Sequence, residues 1–172
     1  MRLTALILGT AITLTACGWQ LRGAQVDEQG RLPGIHIVSE DNYSPMVRTL
    51  RETWEKQSVK DNPTGNPYLV QILDEVVDRR PVTYTTTGTP AQYEMTLKLT
   101  YAIQLPGAAE PKVPRTISTH RIFDFDPRNV VAKSEEERAL LQHMRQQLAQ
   151  TLLNHIARLH HNVTRNQTEA AE

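Results

Sequence analysis

The sequence predicts an α+β domain in which two helices cover one face of a four-stranded mixed or antiparallel sheet. Three observations support this fold class. Residues 94–105 alternate apolar and polar side chains, two segments carry apolar stripes at helical spacing, and three more segments are rich in strand-forming residues. Their order along the chain is β-α-β-β-β-α. Two helices with one apolar stripe each can cover one face of such a sheet.

The first residues are typical of a signal peptide. Arg2 gives a positive start, and residues 3–14 are apolar apart from three threonines. A transmembrane helix needs about 20 residues, so this segment is too short to span a bilayer. Residues 14–17, Leu-Thr-Ala-Cys, resemble a bacterial lipobox, which predicts that residues 1–16 are a lipoprotein signal peptide. An ordinary signal peptide followed by a chance cysteine is the alternative.

Cys17 is the only cysteine, so the chain cannot form an internal disulfide. At the lipobox position we expect this residue to carry a diacylglyceryl group on its sulfur and an acyl chain on its amine, and we expect no other cofactor. Two or more acyl chains anchor a protein stably. Residues 17–33 would form the lipidated N-terminus and a spacer. Gly18 follows in place of Asp, which by resemblance to Gram-negative lipoproteins favours the outer membrane, with the domain on its periplasmic side.

After cleavage the chain would have 172 − 16 = 156 residues, which suits one domain. We place that domain at residues 34–163 and expect residues 164–172 to be a disordered tail. Only Arg2 leaves with the signal peptide, so 19 − 1 = 18 basic residues remain against 19 acidic ones. This near-neutral balance gives no reason to expect a nucleic-acid partner.

The first strand and helix are short. Residues 35–38 are a β-branched run, in which His36 faces away from its two isoleucine neighbours. Ser44 followed by Pro45 predicts a helix start, because serine suits the cap and proline the first turn. Val47, Leu50 and Trp54 then form the apolar stripe of a helix that ends by Asp61, before a Pro/Gly/Asn cluster.

Three strands are expected next. Residues 68–73 predict a strand that continues with a kink through Val77. We expect residues 79–81 to interrupt this strand. Residues 82–89 are rich in threonine and predict an edge strand or an extended loop. In residues 94–105, the side chains of Met95 and every second residue after it point one way. Residues 115–125 predict the fourth strand, with Arg121 interrupting its apolar face.

The last element is a long helix. Ser134 with Glu137 three residues later predicts a capping box at its start. Its apolar stripe recurs at steps of three and four: Leu140 or Leu141, Met144, Leu148, Leu152, Ile156 and Leu159.

No pattern in the chain predicts catalysis or a metal centre. Phosphate-binding loops, zinc-protease motifs and nucleophile elbows are absent from the sequence. His155, His160 and His161 fall on different helix faces and lack cysteine or carboxylate partners, so we expect no metal site and no enzyme.

Five basic residues stand near predicted strand ends: Arg79, Arg80, Arg121, Arg128 and Lys133. If the fold gathers them, they form a cation site suited to a phosphorylated lipid headgroup. The alternative is a solvated surface with scattered charges.

Several stretches resemble one family. Residues 17–23, CGWQLRG, resemble the C-G-[FW]-x-L-R-G start of mature LptE, the LPS-assembly lipoproteins. Residues 91–95, AQYEM, resemble the strand entry A-x-Y-x-[ML], and Ala132-Lys133 before an acidic helix start resembles A-K-x-x-E. The resemblance covers nearly the whole mature chain.

The resemblance implies an outer-membrane lipoprotein that plugs the lumen of the LptD barrel, assists the assembly of that barrel and helps place lipopolysaccharide in the outer leaflet. It also implies lipopolysaccharide binding through basic residues at strand-end loops, where Lys133 matches one position. Thr86 and Thr87 stand where the family has a basic residue, and Arg79 and Arg80 are not the matching positions. Two alternatives stay open: an anchored periplasmic enzyme or ligand carrier, and a general envelope adaptor.

Overall fold

The computed structural model describes residues 34–59, 61–126 and 128–169. Its elements follow the predicted order: β1 (Ile35–Ser39), α1 (Pro45–Glu55), β2 (Tyr68–Tyr84), β3 (Pro90–Gln104), β4 (Arg115–Asp124) and α2 (Val130–Glu169). The predicted signal peptide, 1–16, and the lipidated spacer, 17–33, lie outside the described residues. Among the helices within the described ranges, none is long and apolar enough to cross a membrane.

The four strands form one mixed sheet in the order β1-β2-β3-β4, which confirms the predicted fold class. β1 and β2 run parallel, whereas β3 is antiparallel to both of its neighbours. β1 pairs with β2 only as far as Ser39 opposite Ile72. Beyond that point the described sheet has β2 as its edge strand, joined on one side to β3.

The core lies between the two helices and one face of the sheet, which we call the helix face. β3 supplies its centre, because the predicted alternation buries every second side chain from Met95 to Ile103. The helices contribute their predicted stripes: Val47, Leu50 and Trp54 from α1, and Met144, Leu148, Leu152 and Ile156 from α2. The two helices are also joined by the buried Trp54 Nε1, which donates to the Ala149 carbonyl over 2.9 Å.

α1 begins as its sequence predicts. The Ser44 hydroxyl accepts a hydrogen bond from the Val47 amide over 3.3 Å, and Pro45 occupies the first helical turn. The helix ends at Glu55, before the Pro/Gly/Asn cluster that was expected to stop it. The cap and the stripe of α1 are therefore both confirmed.

The interruption predicted at residues 79–81 is wrong, because β2 runs without a break to Tyr84. Its pairing with β3 shifts between Ile72 and Asp74 and again around Thr83, so bulges absorb the irregular residues. Pro81 is tolerated because β2 is an edge strand there.

The start predicted for α2 is also wrong. The helix begins at Val130, where the Lys133 amide donates to the Asn129 carbonyl, so Ser134 lies inside it. Instead of capping, the Ser134 hydroxyl donates to the Val131 carbonyl. At the other end the helix extends to Glu169, through most of the predicted disordered tail, with an exposed Arg165–Glu169 pair one turn apart.

Asp61 ties the chain after α1 to the start of the sheet. Its carboxylate lies 2.7 Å from His36 Nδ1 and 3.1 Å from Arg51 Nε, and accepts a bond from the Ile37 amide. Burial raises the pKa of Asp61, but these hydrogen bonds outweigh it and hold the pKa below its ordinary 3.8.

We expect Asp61→Asn to lower the free energy of unfolding by about 1 kcal/mol at neutral pH, since it weakens three partly exposed hydrogen bonds. Because folding lowers this pKa, the carboxylate stabilises the fold fully above pH 3.8 and loses that effect as pH falls through the lower folded value. Urea unfolding across this range should therefore show the two proteins converging in acid. The control is Glu52→Gln, an exposed position on α1. A constant difference at every pH would contradict the assignment.

Candidate functional site

The sheet face opposite the helices, which we call the open face, is polar along its length. Its side chains follow from strand register: Gln71, Gln92, Thr96, Lys98, Thr100, Thr116 and Ser118. Cross-strand hydrogen bonds join some of them, such as Thr100 to Thr116 over 3.0 Å. Aliphatic side chains also lie on this face, among them Val38, Val76 and Ile122, which are 41%, 43% and 58% exposed. The open face therefore offers many hydrogen-bonding groups alongside several aliphatic side chains.

On the helix face, Arg79 is held among aromatic rings at one end of the sheet. Its guanidinium lies 4.0 Å from the centre of the Tyr93 ring and about 5.5 Å from Phe125. It also lies 3.6 Å from the Glu137 carboxylate of α2. A guanidinium stacks on aromatic rings and pairs with carboxylates, so this residue links β2 to β3 and to the helix.

Arg121 lies in the same row of the sheet as Arg79. Strand register places Arg79, Met95 and Arg121 side by side across three strands. Arg121 donates to Gln147 Oε1 of α2 over 2.7 Å, and Thr119 donates to the same oxygen over 3.2 Å. The structure thus brings two of the predicted basic residues to the helix face, where both contact α2.

The other three predicted basic residues do not join this row. Arg80 points to the open face and pairs with Glu94 over 2.7 Å. Lys133 pairs with Glu136 on its own helix, which raises the pKa of Lys133, with Asp124 and Asp126 adding to the effect. Arg128 is exposed in the turn before α2. The five residues therefore do not form one cation cluster, and most have carboxylate partners.

Sequence reasoning missed a second basic group at the opposite end of the sheet. Lys112 and Arg115 line the same pocket as His155, and Arg158 follows His155 by three residues on α2. Burial and these three charges lower the pKa of His155. His155 Nδ1 lies 2.6 Å from the Tyr101 hydroxyl. The group borders an open pocket whose empty volume, including open solvent, is about 250 Å³. Only the strand register brings Lys112 and Arg115 close to α2, so no local sequence signal could have identified them.

A second missed contact lies nearer the middle of the sheet. Arg145 of α2 pairs with Glu75 of β2 over 2.7 Å, and both side chains are largely covered, at 14% and 16% exposure. This ion pair joins α2 to the helix face of β2, which is the edge strand at that point. Among the described residues, no group of three or more His, Cys, Asp or Glu could hold a metal ion.

Comparison with known proteins identifies the family. The family model described as "LptE: Lipopolysaccharide-assembly" matches residues 32–156, which is most of the chain. The chain belongs to the LptE family. A relative from Pectobacterium atrosepticum named "LPS-assembly lipoprotein LptE" is 34% identical, covering 88% of this chain and 83% of the relative. One of the same name from Yersinia pestis is 29% identical, covering 92% and 77%. LptE is not known as a family of enzymes.

Solved structures carry the same fold. The rare lipoprotein B from Shewanella oneidensis matches with a TM-score of 0.68 and 28% identity, over 76% of this chain and 98% of that one. A lipoprotein B from Nitrosomonas europaea matches with a TM-score of 0.61 at 20% identity, over 81% and 90%, which supports the fold alone. These solved lipoproteins therefore share the fold of this chain.

We expect Arg79→Met to lower the free energy of unfolding by about 1 kcal/mol, because it removes the ring contacts and the partner of Glu137. Arg80→Met is the matched control, since its pair with Glu94 is exposed to solvent, where an ion pair contributes little to stability. Urea unfolding measures both. Equal losses for the two variants would show that the aromatic contacts of Arg79 add nothing.

Proposed function

We propose that this LptE-family chain is an outer-membrane lipoprotein that occupies the lumen of the LptD barrel, assists the assembly of that barrel and helps deliver lipopolysaccharide to the outer leaflet. Its relatives are named as LPS-assembly lipoproteins. The anchor would be the diacylglyceryl and N-acyl groups on Cys17, with the domain on the periplasmic side. Mass spectrometry of the membrane-extracted protein tests this acylation directly.

The open face is the observation that supports a position inside a barrel. The interior of an outer-membrane barrel is polar and wet, so a plug needs hydrogen-bonding groups rather than an apolar patch. The threonine, serine and glutamine side chains of the open face meet that need, and the formal charge of the whole chain is +0. The strands of the sheet span about 15 Å from first to last, at about 4.8 Å per step, a width that suits large barrels with plugged lumens.

A plug and a surface adaptor differ in which faces touch the partner. A domain enclosed by a barrel contacts it from opposite sides, whereas a docked adaptor uses one side. Thr100 on the open face and Ala157 on the exposed side of α2 lie on opposite sides of the domain.

We therefore expect a photo-crosslinking residue at Thr100 and one at Ala157 to capture the same large barrel protein in intact cells. Mass spectrometry of each crosslinked product identifies the partner. Capture from only one position would support an adaptor, and extraction without any barrel would overturn the plug proposal. Met95 is the buried control and should capture no partner.

Lipopolysaccharide binding is proposed for the end of the sheet near Lys133, together with Arg79, Arg80, Arg121 and Arg128. Lys133 matches a basic position of the family and keeps its charge, since its pKa is raised. Its pair with Glu136 competes with any phosphate ligand.

Lys133→Glu should weaken lipopolysaccharide binding by about tenfold, because it replaces an attraction to the phosphates by a repulsion. Glu136→Gln should not weaken binding, since it frees the ammonium from its competitor. Pull-down at fixed salt measures the affinities, and circular dichroism confirms folding. An unchanged affinity for Lys133→Glu would remove this residue from the binding site.

A further inference from the structure

One end of the domain is the point where the described chain begins, and we call it the tether end. Gly34 lies there, and its carbonyl accepts a hydrogen bond from the Tyr68 amide at the start of β2. The end of β3 reaches the same place, since Gln104 pairs with Leu69. Any anchor at Cys17 is therefore connected to the domain at this end.

The second basic group lies at the tether end. The Lys112 amide donates to the Ile103 carbonyl, one residue from the end of β3, and Arg115 pairs with Tyr101. Arg158 follows His155 by three residues on α2, and its charge acts with theirs on His155. Lysine and arginine residues from one loop, one strand end and one helix thus lie at the tether end.

These three cations have no carboxylate partner within the described ranges. Arg79, Arg80, Lys133 and Arg145, by contrast, each pair with a glutamate. The nearest acid in sequence to the group is the exposed Glu110, two residues before Lys112. The tether end therefore carries a local positive charge that this neutral chain does not compensate there.

An apolar side chain stands beside the cations. Val113 is 82% exposed, and it borders a pocket whose walls also include Tyr101, Ile103 and Leu159. Cations around an exposed aliphatic residue resemble the composition of surfaces that lie at a bilayer interface, where charge meets phosphate and the apolar group enters the headgroup layer.

We propose that the tether end rests on the anchoring membrane, with Lys112, Arg115 and Arg158 on the phosphates of anionic phospholipid headgroups and Val113 at the interface. The inference depends on the acylation of Cys17 proposed above. The chain enters the domain at this end through Gly34, whereas the opposite end of the sheet lies about 50 Å away, the length of β3. The anchor thus favours contact by this end over the other.

The chemistry of attachment supports the proposal. Each basic residue near an anionic bilayer strengthens attachment by about fivefold, an effect that salt screens. A basic patch combined with acyl chains is a common two-part membrane signal. In this protein the acyl chains would attach the domain to the membrane, and the basic patch would fix its orientation there.

The test measures that orientation with the full, acylated chain in vesicles. Acylation blocks the Cys17 sulfur, so one introduced cysteine can be labelled alone. Fluorophores at Ala109→Cys, beside the cations, and at Thr86→Cys, in the turn at the opposite end, are quenched by a headgroup-labelled lipid when they lie near the surface. We expect at least about fivefold more quenching at Ala109 than at Thr86 in vesicles containing phosphatidylglycerol.

Lys112→Glu/Arg158→Glu should abolish the difference between the two labels, and so should vesicles of phosphatidylcholine alone. The matched control, Arg48→Glu/Lys98→Glu, changes the net charge equally at exposed positions away from the tether end and should leave the difference intact. Circular dichroism confirms that all variants fold. If the protein floats with the vesicles but both labels are quenched equally, the proposed contact of the tether end is wrong and the lipoprotein proposal still stands. Protein that carries no acyl mass and does not float would overturn the lipoprotein proposal and this inference with it.

Discussion

The packing of β3 against α2 is the interaction on which the rest of the domain depends. β3 is paired on both sides, and five of its side chains, Met95 to Ile103 at every second position, are buried beneath the helices. Fully burying one such side chain contributes about 1.5–3 kcal/mol. These residues and the stripe of α2 therefore form the core between the layers, and they fix which face of every other strand is covered.

Once that face is fixed, each strand presents its remaining side chains to solvent or to a partner. The open face is polar because it lacks a helical layer, and the helix face carries its charged residues at the margins, where they pair across layers. Glu75 with Arg145 and Arg79 with Glu137 join β2 to α2 where β1 no longer covers the sheet. In this region the contact between β2 and α2 thus includes ion pairs as well as apolar contacts.

Local patterns in the sequence predicted the elements well, and non-local features caused the errors. The alternation in β3 and the Ser44 cap can be predicted because each depends only on residues that are neighbours in the sequence. The continuity of β2 through Pro81 depends on its being an edge strand, which the sequence does not reveal. Ser134 and Glu137 matched a capping box, but the chain had already entered the helix at Val130.

The same limit applies to the candidate site. Arg79 and Arg80 were both placed in one possible cation site, although adjacent residues of a continuous strand point to opposite faces. The group of Lys112, Arg115 and Arg158 escaped notice because a loop, a strand and a distant helix position come together only through register. Charge counts along the sequence cannot separate a paired cation from an unpaired one.

The edge of β2 from Leu73 to Tyr84, which β1 does not cover, has a consequence for the association of copies of the protein. A straight, exposed strand invites a strand from a neighbouring copy, and such edge-to-edge growth leads to aggregates. Here register shifts after Ile72 and around Thr83 bend the edge, Pro81 lacks an amide hydrogen, and Asp74 and Asp78 add charge. The irregularities that obscured this strand in the sequence thus make its edge a poor template for a strand of a second copy.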